Sequence, residues 1–185
     1  IINNSGADVI IADKSLEDFC IDLSLNNEHE IFKLSFNGQI DGFYSYEEEI
    51  SQFPTDPPID NPKGTFMFYS SGTTGQPKGI KWPLLEEQIE DDHAHYLFHK
   101  ELWDYDEHSV SLVSSPLYHA APAHMALTGH AFGGTVVMMP KFDAEDALRV
   151  IEKYKITHGQ WVPTQFMRMY KLPDCLLYTS DAADE

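Results

Sequence analysis

A short run of serine, threonine and glycine has the composition of an anion-binding loop. The run SSGTTG, residues 70–75, follows the apolar stretch FMFY and precedes Pro77 and Lys78. Glycines let the backbone approach a ligand closely, and successive backbone N–H groups in such a loop form a concave site for an anion. Hydroxyl groups add hydrogen-bond donors, and Lys78 adds a positive charge. The loop therefore favours a phosphate group, with candidate binding residues Ser70, Ser71, Gly72, Thr73, Thr74, Gly75 and Lys78.

The residues of this loop leave other interpretations open. Its composition also suits a flexible surface linker. Its spacing differs from that of a Walker loop, in which Lys directly follows Gly and is followed by Ser or Thr. Here two residues separate Gly75 from Lys78, and Gly79 comes next. The phosphate site is thus a hypothesis that depends on the rest of the chain.

A histidine is the second candidate for chemistry. His119 lies within SSPLYHAAPAH, where an apolar run gives way to a helical pattern. A side chain at such a strand-to-helix junction can face a cleft at the carboxyl edge of a parallel sheet. The alternative is a histidine at a helix start that hydrogen-bonds the backbone. The residue pattern alone leaves both open.

The other histidines predict no metal site. His95 and His99 are spaced i, i+4 and could hold an ion together with a neighbouring aspartate, but a solvated acidic helix face explains this pattern better. His124 and His130 lack a compact ligand spacing and are predicted to be structural. The sequence also has no G-x-S-x-G elbow, which argues against a Ser-His-Asp hydrolase.

Charge and composition exclude several classes of protein. The 185 residues include 12 basic and 30 acidic side chains, a formal net charge of −18, which repels nucleic acid and anionic membrane surfaces. No apolar run approaches the roughly 20 residues of a membrane span. Cys20 and Cys175 lie too far apart in sequence to indicate a disulfide framework. We therefore expect a cytoplasmic protein with no nucleic-acid partner and no integral membrane segment.

The elements that must position these residues alternate between strands and helices. In the first part of the chain we predict a strand over 7–13, a short helix capped by Ser15, strand-like sequence over 31–42 with a turn at Asn37 and Gly38, a helix from Ser45, a buried strand over 66–69 and a helix over 84–103. In the second part we predict strands over 110–115, 135–139 and 157–162, and helices over 119–132, 143–154 with Asp143 as N-cap, and 164–172.

This alternation predicts an α/β fold of parallel sheets flanked by helices, because parallel strands need helical crossovers. The predicted organisation is a partial first α/β subdomain over 1–110 with the phosphate-binding loop at 69–79, a partial second α/β subdomain over 111–174 and a non-native tail over 175–185. The tail is set apart because CLLYTSDAADE breaks the alternation and resembles a processing scar.

The string FMFYSSGTTGQPKGI resembles the phosphate-loop signature of the adenylate-forming (AMP-binding) superfamily, which includes acyl-CoA synthetases, luciferases and the adenylation domains of peptide synthetases. A second family signature, Pro followed after two residues by His or an aromatic residue, is matched by Pro116 to His119. The later string GGTVVMMPKFDAEDALRVIEKYKITHGQWVPTQF resembles the acyl-CoA synthetase, or fatty-acid–CoA ligase, branch. The resemblance spans about Ser5 to Pro173 and implies part of the large N-terminal domain of these enzymes.

The resemblance also implies roles for individual residues. In the family, the matching loop wraps the β- and γ-phosphates of ATP, which gives residues 70–75 and Lys78 that role. His119 would be catalytic, beside the substrate carboxylate and the α-phosphate, and Tyr118, His119 and Trp161 would contact the substrate. Trp161 also suits plain core packing.

The implied function is ATP-dependent activation of a carboxylic acid, with a fatty acid favoured, to acyl-AMP and transfer to coenzyme A, using ATP, Mg²⁺ and coenzyme A. The alternatives are an acyl-AMP ligase or an adenylation domain that passes the acyl group to a carrier protein, and a phosphate-binding fragment without turnover. The family's later motifs, among them the adenine-binding segment and the catalytic Lys of the C-terminal domain, do not occur in this sequence. We therefore expect a ligase in a longer parent protein and an inactive chain by itself.

Overall fold

The computed structural model describes residues 1–21, 30–70, 75–91 and 94–173, with the side chains of the last range from residue 96 onward. The chain divides into two compact units, Ile1–Ile89 and Glu90–Glu185. The predicted tail over 175–185 lies outside the described residues, as do Ser71, Gly72, Thr73 and Thr74 of the candidate loop.

The first unit is built on a parallel three-stranded sheet. Its elements in chain order are α1 (Ile2–Ser5), β1 (Val9–Asp13), a 3-10 turn (Lys14–Leu16), α2 (Glu17–Ile21), β2 (Phe32–Phe36), β3 (Tyr44–Ser45), α3 (Tyr46–Ser51), β4 (Met67–Ser70) and β5 (Lys78–Lys81). The strand order is β1-β2-β3, and both pairs are parallel. The predicted turn after β2 is confirmed, with φ of 59° at Asn37 and 136° at Gly38.

One side of this sheet carries the core of the first unit. Ala12, Ile40 and Phe43 are buried together, and Ile10 and Cys20 pack against them. Residues 10 and 12 are two apart in β1 and therefore share a face of the sheet. The alternation of strand side chains thus places the core on that face.

Two helix starts in this unit test the cap predictions. Ser45 caps α3 as predicted, because its Oγ accepts from the backbone N–H of Glu48 at 3.3 Å. Ser15 is not a cap: the carboxylate of Asp13 accepts from the N–H of Ser15 at 2.8 Å and starts the 3-10 turn instead. A carboxylate at the strand end accepts the first free N–H before the serine can act as the cap.

The second unit contains a parallel sheet with strand order β7-β6-β8. Its elements are α4 (Ala94–Trp103), β6 (Val110–Val113), α5 (Ala120–Ala131), β7 (Thr135–Met138), α6 (Ala144–Tyr154), β8 (His158–Gln160) and α7 (Pro163–Met169). All six elements predicted after residue 110 are present in the predicted order. Asp143 caps α6 as predicted, accepting from the N–H groups of Glu145 and Asp146 at 3.0 Å each.

The helix predicted over residues 84–103 is shorter than expected. Only Ala94–Trp103 forms a helix, and residues 84–91 are not helical. The segment around Gln88 instead forms an antiparallel bridge to Pro62, with backbone hydrogen bonds from Lys63 to Glu87 at 2.8 Å and from Ile89 to Asn61 at 2.9 Å. Pairing with a distant segment therefore overrides the helical pattern.

Helix α5 packs closely on the sheet of the second unit. A Cβ placed on Gly129 would lie 3.0 Å from both Ser111 Oγ and Val136 Cγ2. Leu112 and Thr128 are 2% and 0% exposed. This close approach fixes α5 over β6, so the connection between them is held at both ends. A second cluster, of Ala147, Leu148 and Met169, joins α6 to α7.

Helix α4 belongs to the second unit, since the division falls after Ile89. The predicted subdomain boundary at residue 110 lies further along the chain, and the assignment of 1–110 and 111–174 to family subdomains stays a prediction. None of the helices within the described ranges is long and apolar enough to cross a membrane.

Candidate functional site

The candidate phosphate loop is the connection of a β-hairpin. Strands β4 and β5 are antiparallel, and Ser70 lies opposite Lys78 as the last paired position before the loop. Directly opposed residues in an antiparallel pair have their Cβ atoms about 5 Å apart on the same face. Both residues are exposed. The hairpin therefore holds a hydroxyl group and an ammonium group side by side at the mouth of the loop.

This hairpin differs from the buried strand that the sequence predicts for residues 66–69. Strand β4 is partly exposed and pairs only with β5 among the described strands. Gly75, in the connection between the two strands, has a positive φ of 77° that favours glycine. The prediction of a strand is confirmed, but the prediction that it is buried is wrong, because its residues are partly exposed.

The face of the hairpin that carries Gly79 also carries the side chains of Met67 and Tyr69. A Cβ on Gly79 would lie 2.5 Å from Met67 Cε and 3.1 Å from Tyr69 Cζ, so these two side chains lie beside the glycine. The Tyr69 hydroxyl donates to Asn4 Oδ1 at 2.8 Å. Because Tyr69 and Gly79 are opposed in the register, this anchor lies one residue from the Ser70 and Lys78 pair. Lys78 therefore lies on the other face of the hairpin, together with Ser70.

The second candidate group lies between β6 and α5. His119 is the N-cap residue of α5, with φ of −88° and ψ of 142°, and its N–H donates to the carbonyl of Pro116 at 3.1 Å, which closes a turn. Its imidazole makes no capping hydrogen bond to the helix. The ring is exposed and lies 4.6 Å from the ring of Tyr118, centroid to centroid. The side chain is therefore not used as the helix cap.

A buried glutamine, which sequence reasoning missed, holds the start of this connection. The Nε2 of Gln165 donates to the carbonyl oxygen and Oγ of Ser114 at 3.2 and 3.0 Å, and to Ser115 Oγ at 3.3 Å. Its Oε1 accepts from the N–H of Val162 at 2.9 Å. The contact with Val162 could have been predicted from the sequence, because Gln at the third helical position is typical of a capping box. The bond to Ser114, 51 residues away, leaves no such pattern.

Trp161 lies in a hydrophobic cluster of the second unit. It packs against Ala147, Leu148 and Met169. Its ring centroid is 6.4 Å from that of Phe142 and 6.0 Å from that of Phe166. The indole therefore contributes to core packing, and its contact with a substrate stays a prediction.

A polar atom at the end of β8 has no partner. Gln160 Oε1 is buried and accepts no hydrogen bond from the described residues. Native interiors pair nearly all such atoms, so an unpaired one marks a place where a further donor fits. It lies one residue before Trp161, in the strand next to β6.

The described histidine side chains of α4 and α5 belong to no group that could hold a metal ion. Burial, and secondarily the charge of His99, lower the pKa of His124. The side chain of His95 lies outside the described residues. Across the described part of the chain, no group of three or more His, Cys, Asp or Glu side chains could hold a metal ion.

Parallel sheets flanked by helices define an α/β protein. The profile of the AMP-binding enzyme family matches residues 1–183. The chain belongs to this family.

Several individual relatives are named as CoA ligases. It is 35% identical over 133 residues to 4-coumarate–CoA ligase-like 6 of Arabidopsis thaliana, covering 70% of this chain and 23% of that protein. It is 29% identical over 169 residues to 4-coumarate–CoA ligase 2 of Petroselinum crispum, covering 88% and 28%. The chain therefore spans about a quarter of the length of these curated relatives.

The fold is also shared with solved structures. A protein assigned as a long-chain-fatty-acid CoA ligase from Rhodopseudomonas palustris CGA009 superposes with a TM-score of 0.71 at 20% identity, covering 95% of this chain and 43% of that one. At this identity the likeness establishes the fold alone. It confirms the predicted α/β fold class, that of the N-terminal domain of adenylate-forming enzymes.

The comparisons confirm the family predicted from the sequence but not the substrate. The relatives' names include 4-coumarate as well as long-chain fatty acid, so they support CoA ligases as a class without singling out fatty acids.

Proposed function

We propose that the protein carrying this sequence activates a carboxylic acid with ATP and transfers the acyl group to coenzyme A. The observation that carries the proposal is the pairing of Ser70 with Lys78 at the mouth of a glycine-rich hairpin loop, in a chain of the AMP-binding family. The overall charge of −18 repels an anionic ligand, so binding of phosphate requires hydrogen-bond donors and a positive charge within the loop itself.

The loop is proposed to hold the phosphate tail of ATP. Backbone N–H groups of residues 71–75 and the hydroxyls of Ser70, Ser71, Thr73 and Thr74 would donate to the β- and γ-phosphate oxygens. Lys78 would add a charge-assisted hydrogen bond. Its opposed position keeps the ammonium group on the same face as Ser70 Oγ.

His119 is proposed to position the substrate carboxylate. Its imidazole is exposed and is not engaged as a helix cap, so it is available to a ligand. A carboxylate oxygen attacks the α-phosphorus of ATP, and the bond to the bridging oxygen breaks with release of pyrophosphate. The thiol sulfur of coenzyme A then attacks the acyl carbonyl, AMP leaves with its electron pair, and the thiol proton is lost. Alignment of the reacting groups supplies much of such catalysis.

Mg²⁺ is expected with ATP in this family, but the described residues offer no carboxylate or imidazole cluster that fits it. The proposed steps therefore use only the loop, Lys78 and His119. A cytoplasmic location likewise stays a prediction from composition.

The acid is proposed to enter an apolar pocket near Tyr118 and Trp161. A fatty acid is favoured because the strings PLYHAAP and WVPTQF resemble those of enzymes that act on medium- or long-chain fatty acids. An aromatic acid is the competing class, because two relatives are named for 4-coumarate. Transfer to a carrier protein instead of coenzyme A is a second candidate from the superfamily resemblance, as is a chain without turnover by itself.

The test is ATP–pyrophosphate exchange by the full-length protein with a panel of medium- and long-chain fatty acids, 4-coumarate and 4-chlorobenzoate, followed by thioester formation with coenzyme A. Exchange that depends on one class of acid supports the proposal and names the substrate. Absence of exchange with every acid would overturn the ligase proposal. Exchange by residues 1–174 alone would overturn the expectation that this chain is inactive without the rest.

A further inference from the structure

A single buried side-chain amide joins the start of α7 to the end of β6. Gln165 and Ser114 are 5% and 3% exposed. The Gln165 amide donates to both the carbonyl and the hydroxyl of Ser114 and to the hydroxyl of Ser115, and it accepts from the N–H of Val162. Each polar end of the side chain therefore has a protein partner, and these partners belong to segments about fifty residues apart.

This bridge begins where the sheet ends. The carbonyl of Val113, the last residue of β6, still accepts from the N–H of Met139 at 3.0 Å. The next carbonyl, that of Ser114, accepts from the Gln165 side chain instead of a neighbouring strand. Buried carbonyl groups require a donor, so Gln165 replaces the sheet as the main-chain partner at this point. Two residues further on begins the turn that leads to His119.

We propose that Gln165 is a positioning residue that fixes the Ser114–His119 connection, and with it the imidazole of His119, relative to the sheet. As a statement about catalysis this rests on the proposed function, in which His119 aligns the carboxylate. Gln165 itself contacts no reacting atom. It acts by holding the main chain from which Tyr118 and His119 project.

The amide is suited to this task because it combines a donor and an acceptor in one rigid plane. A carboxylate at position 165 would still accept from the Val162 N–H and so keep the start of α7. Its second oxygen would oppose the Ser114 carbonyl, since neither atom carries a proton. The Ser114 and Ser115 hydroxyls can turn to donate to that oxygen, so Gln165→Glu selectively removes the bond to the Ser114 main chain and keeps the bond at the start of α7.

The experiment uses the full-length protein with Gln165→Glu, and Gln52→Glu as the matched control. Gln52 is exposed at the end of α3 in the first unit, and its substitution makes the same chemical and charge change. We expect Gln165→Glu to lower kcat of pyrophosphate exchange about tenfold, because small misplacements of aligned groups are costly. The KM for ATP stays within about twofold, because the change leaves the phosphate loop intact. Amide hydrogen exchange of Leu117–His119 becomes faster.

Several results would overturn the inference. Unchanged exchange at Leu117–His119 shows that Gln165 does not hold the turn, and an unchanged kcat shows that holding it does not matter. Should Gln165→Glu fail to fold, the double variant Ser114→Ala, Ser115→Ala removes both hydroxyl acceptors at nearly constant volume. We then expect about threefold lower kcat at a similar melting temperature, and a normal kcat contradicts the inference.

The two proposals fail differently. A wild-type protein that shows no pyrophosphate exchange with any acid contradicts the proposed function. Hydrogen exchange at Leu117–His119 in Gln165→Glu and in wild type decides the positioning role in that case, because it requires no turnover.

Discussion

The two candidate regions, the β4–β5 hairpin and the β6–α5 connection, are held in place by different means. At the hairpin, Ser70, Lys78 and Gly79 are all exposed, and only the side-chain ends of Met67 and Tyr69 lie near Gly79. At the connection, a buried amide and the close approach of α5 to the sheet fix the main chain before His119. The first region therefore presents donors that can adapt to a phosphate tail. The second fixes the main chain that leads to His119.

This contrast fits the two tasks proposed for them. A phosphate tail offers many oxygens and tolerates small shifts of its donors, whereas in-line attack depends on the alignment of one oxygen with one phosphorus. Substitutions that disturb the two regions should accordingly differ in kind. Substitutions in the β4–β5 hairpin should weaken ATP binding, and substitutions in the β6–α5 connection should slow the chemical step.

The largest effect is expected at His119. In the full-length protein, His119→Ala should lower kcat of pyrophosphate exchange by about 100-fold, because misplacing a reacting group by about 1 Å can cost that much. The melting temperature should change little, since the imidazole does not cap α5. His130→Ala, an exposed histidine near the end of the same helix, is the control. Equal kinetics for the two variants would assign His119 a structural role only.

The next effect is on stability and contrasts the hairpin with the turn between α5 and β7 in the second unit. A Cβ on Gly134 would lie 2.6 Å from the backbone oxygen of Ser109, so Gly134→Ala should cost about 2–4 kcal/mol of unfolding free energy. At Gly79 the nearest atom is the mobile end of Met67, and Gly79→Ala should cost about 1 kcal/mol. Gly64→Ala meets nothing within 4 Å and serves as control. Thermal or denaturant unfolding decides, and a reversed order for Gly134 and Gly79 would contradict the contrast.

At the hairpin, the expected effect falls on binding. Lys78→Ala should raise the KM for ATP about tenfold with a smaller change in kcat, because a charge-assisted hydrogen bond to phosphate is worth about 1.5–3 kcal/mol. Lys81→Ala removes the same charge from the same strand, but residue 81 is opposed to Met67 on the other face. Steady-state kinetics of Lys78→Ala and Lys81→Ala distinguish a direct contact of Lys78 with phosphate from an effect of the protein's net charge. Equal increases in KM would show that Lys78 acts only through the overall field.

The smallest effect is the pH dependence contributed by Asp13. Hydrogen bonds, first from Ser15 and then from Asn37, hold the pKa of Asp13 below its ordinary value of 3.8. A folded-state pKa below the unfolded one stabilises the fold above the unfolded pKa, and this contribution is lost as the pH falls through the folded pKa. Asp13→Asn should therefore be less stable than wild type near neutrality, with a difference that shrinks below about pH 4. A difference independent of pH would contradict this, and Asp41→Asn on an exposed loop is the control.

Much of the fold was predictable because its signals are local. In the second unit, apolar runs and the Asp143 cap predicted every strand and helix after residue 110, since each pattern lies within its own segment. The family was predictable because two ordered motifs occur in one chain, and the family profile confirms it.

The incorrect predictions concern segments whose structure depends on residues far away in the sequence. The helix predicted from residue 84 begins at Ala94 because the segment around Gln88 pairs with Pro62. The strand before the loop was expected to be buried, but its partner β5 makes a partly exposed hairpin. Gln165 was missed because its bond to Ser114 spans 51 positions. Periodicity carries no information about such pairs.

The function proposed for this protein depends on binding of the phosphate tail of ATP by the hairpin loop. A crystal structure of the full-length protein with a non-hydrolysable ATP analogue tests it most directly. In that crystal structure we expect the β- and γ-phosphate oxygens to lie within about 3 Å of the backbone nitrogens of residues 71–75 and of Lys78 Nζ. A triphosphate bound elsewhere, with these amides donating to other main-chain groups, would contradict it.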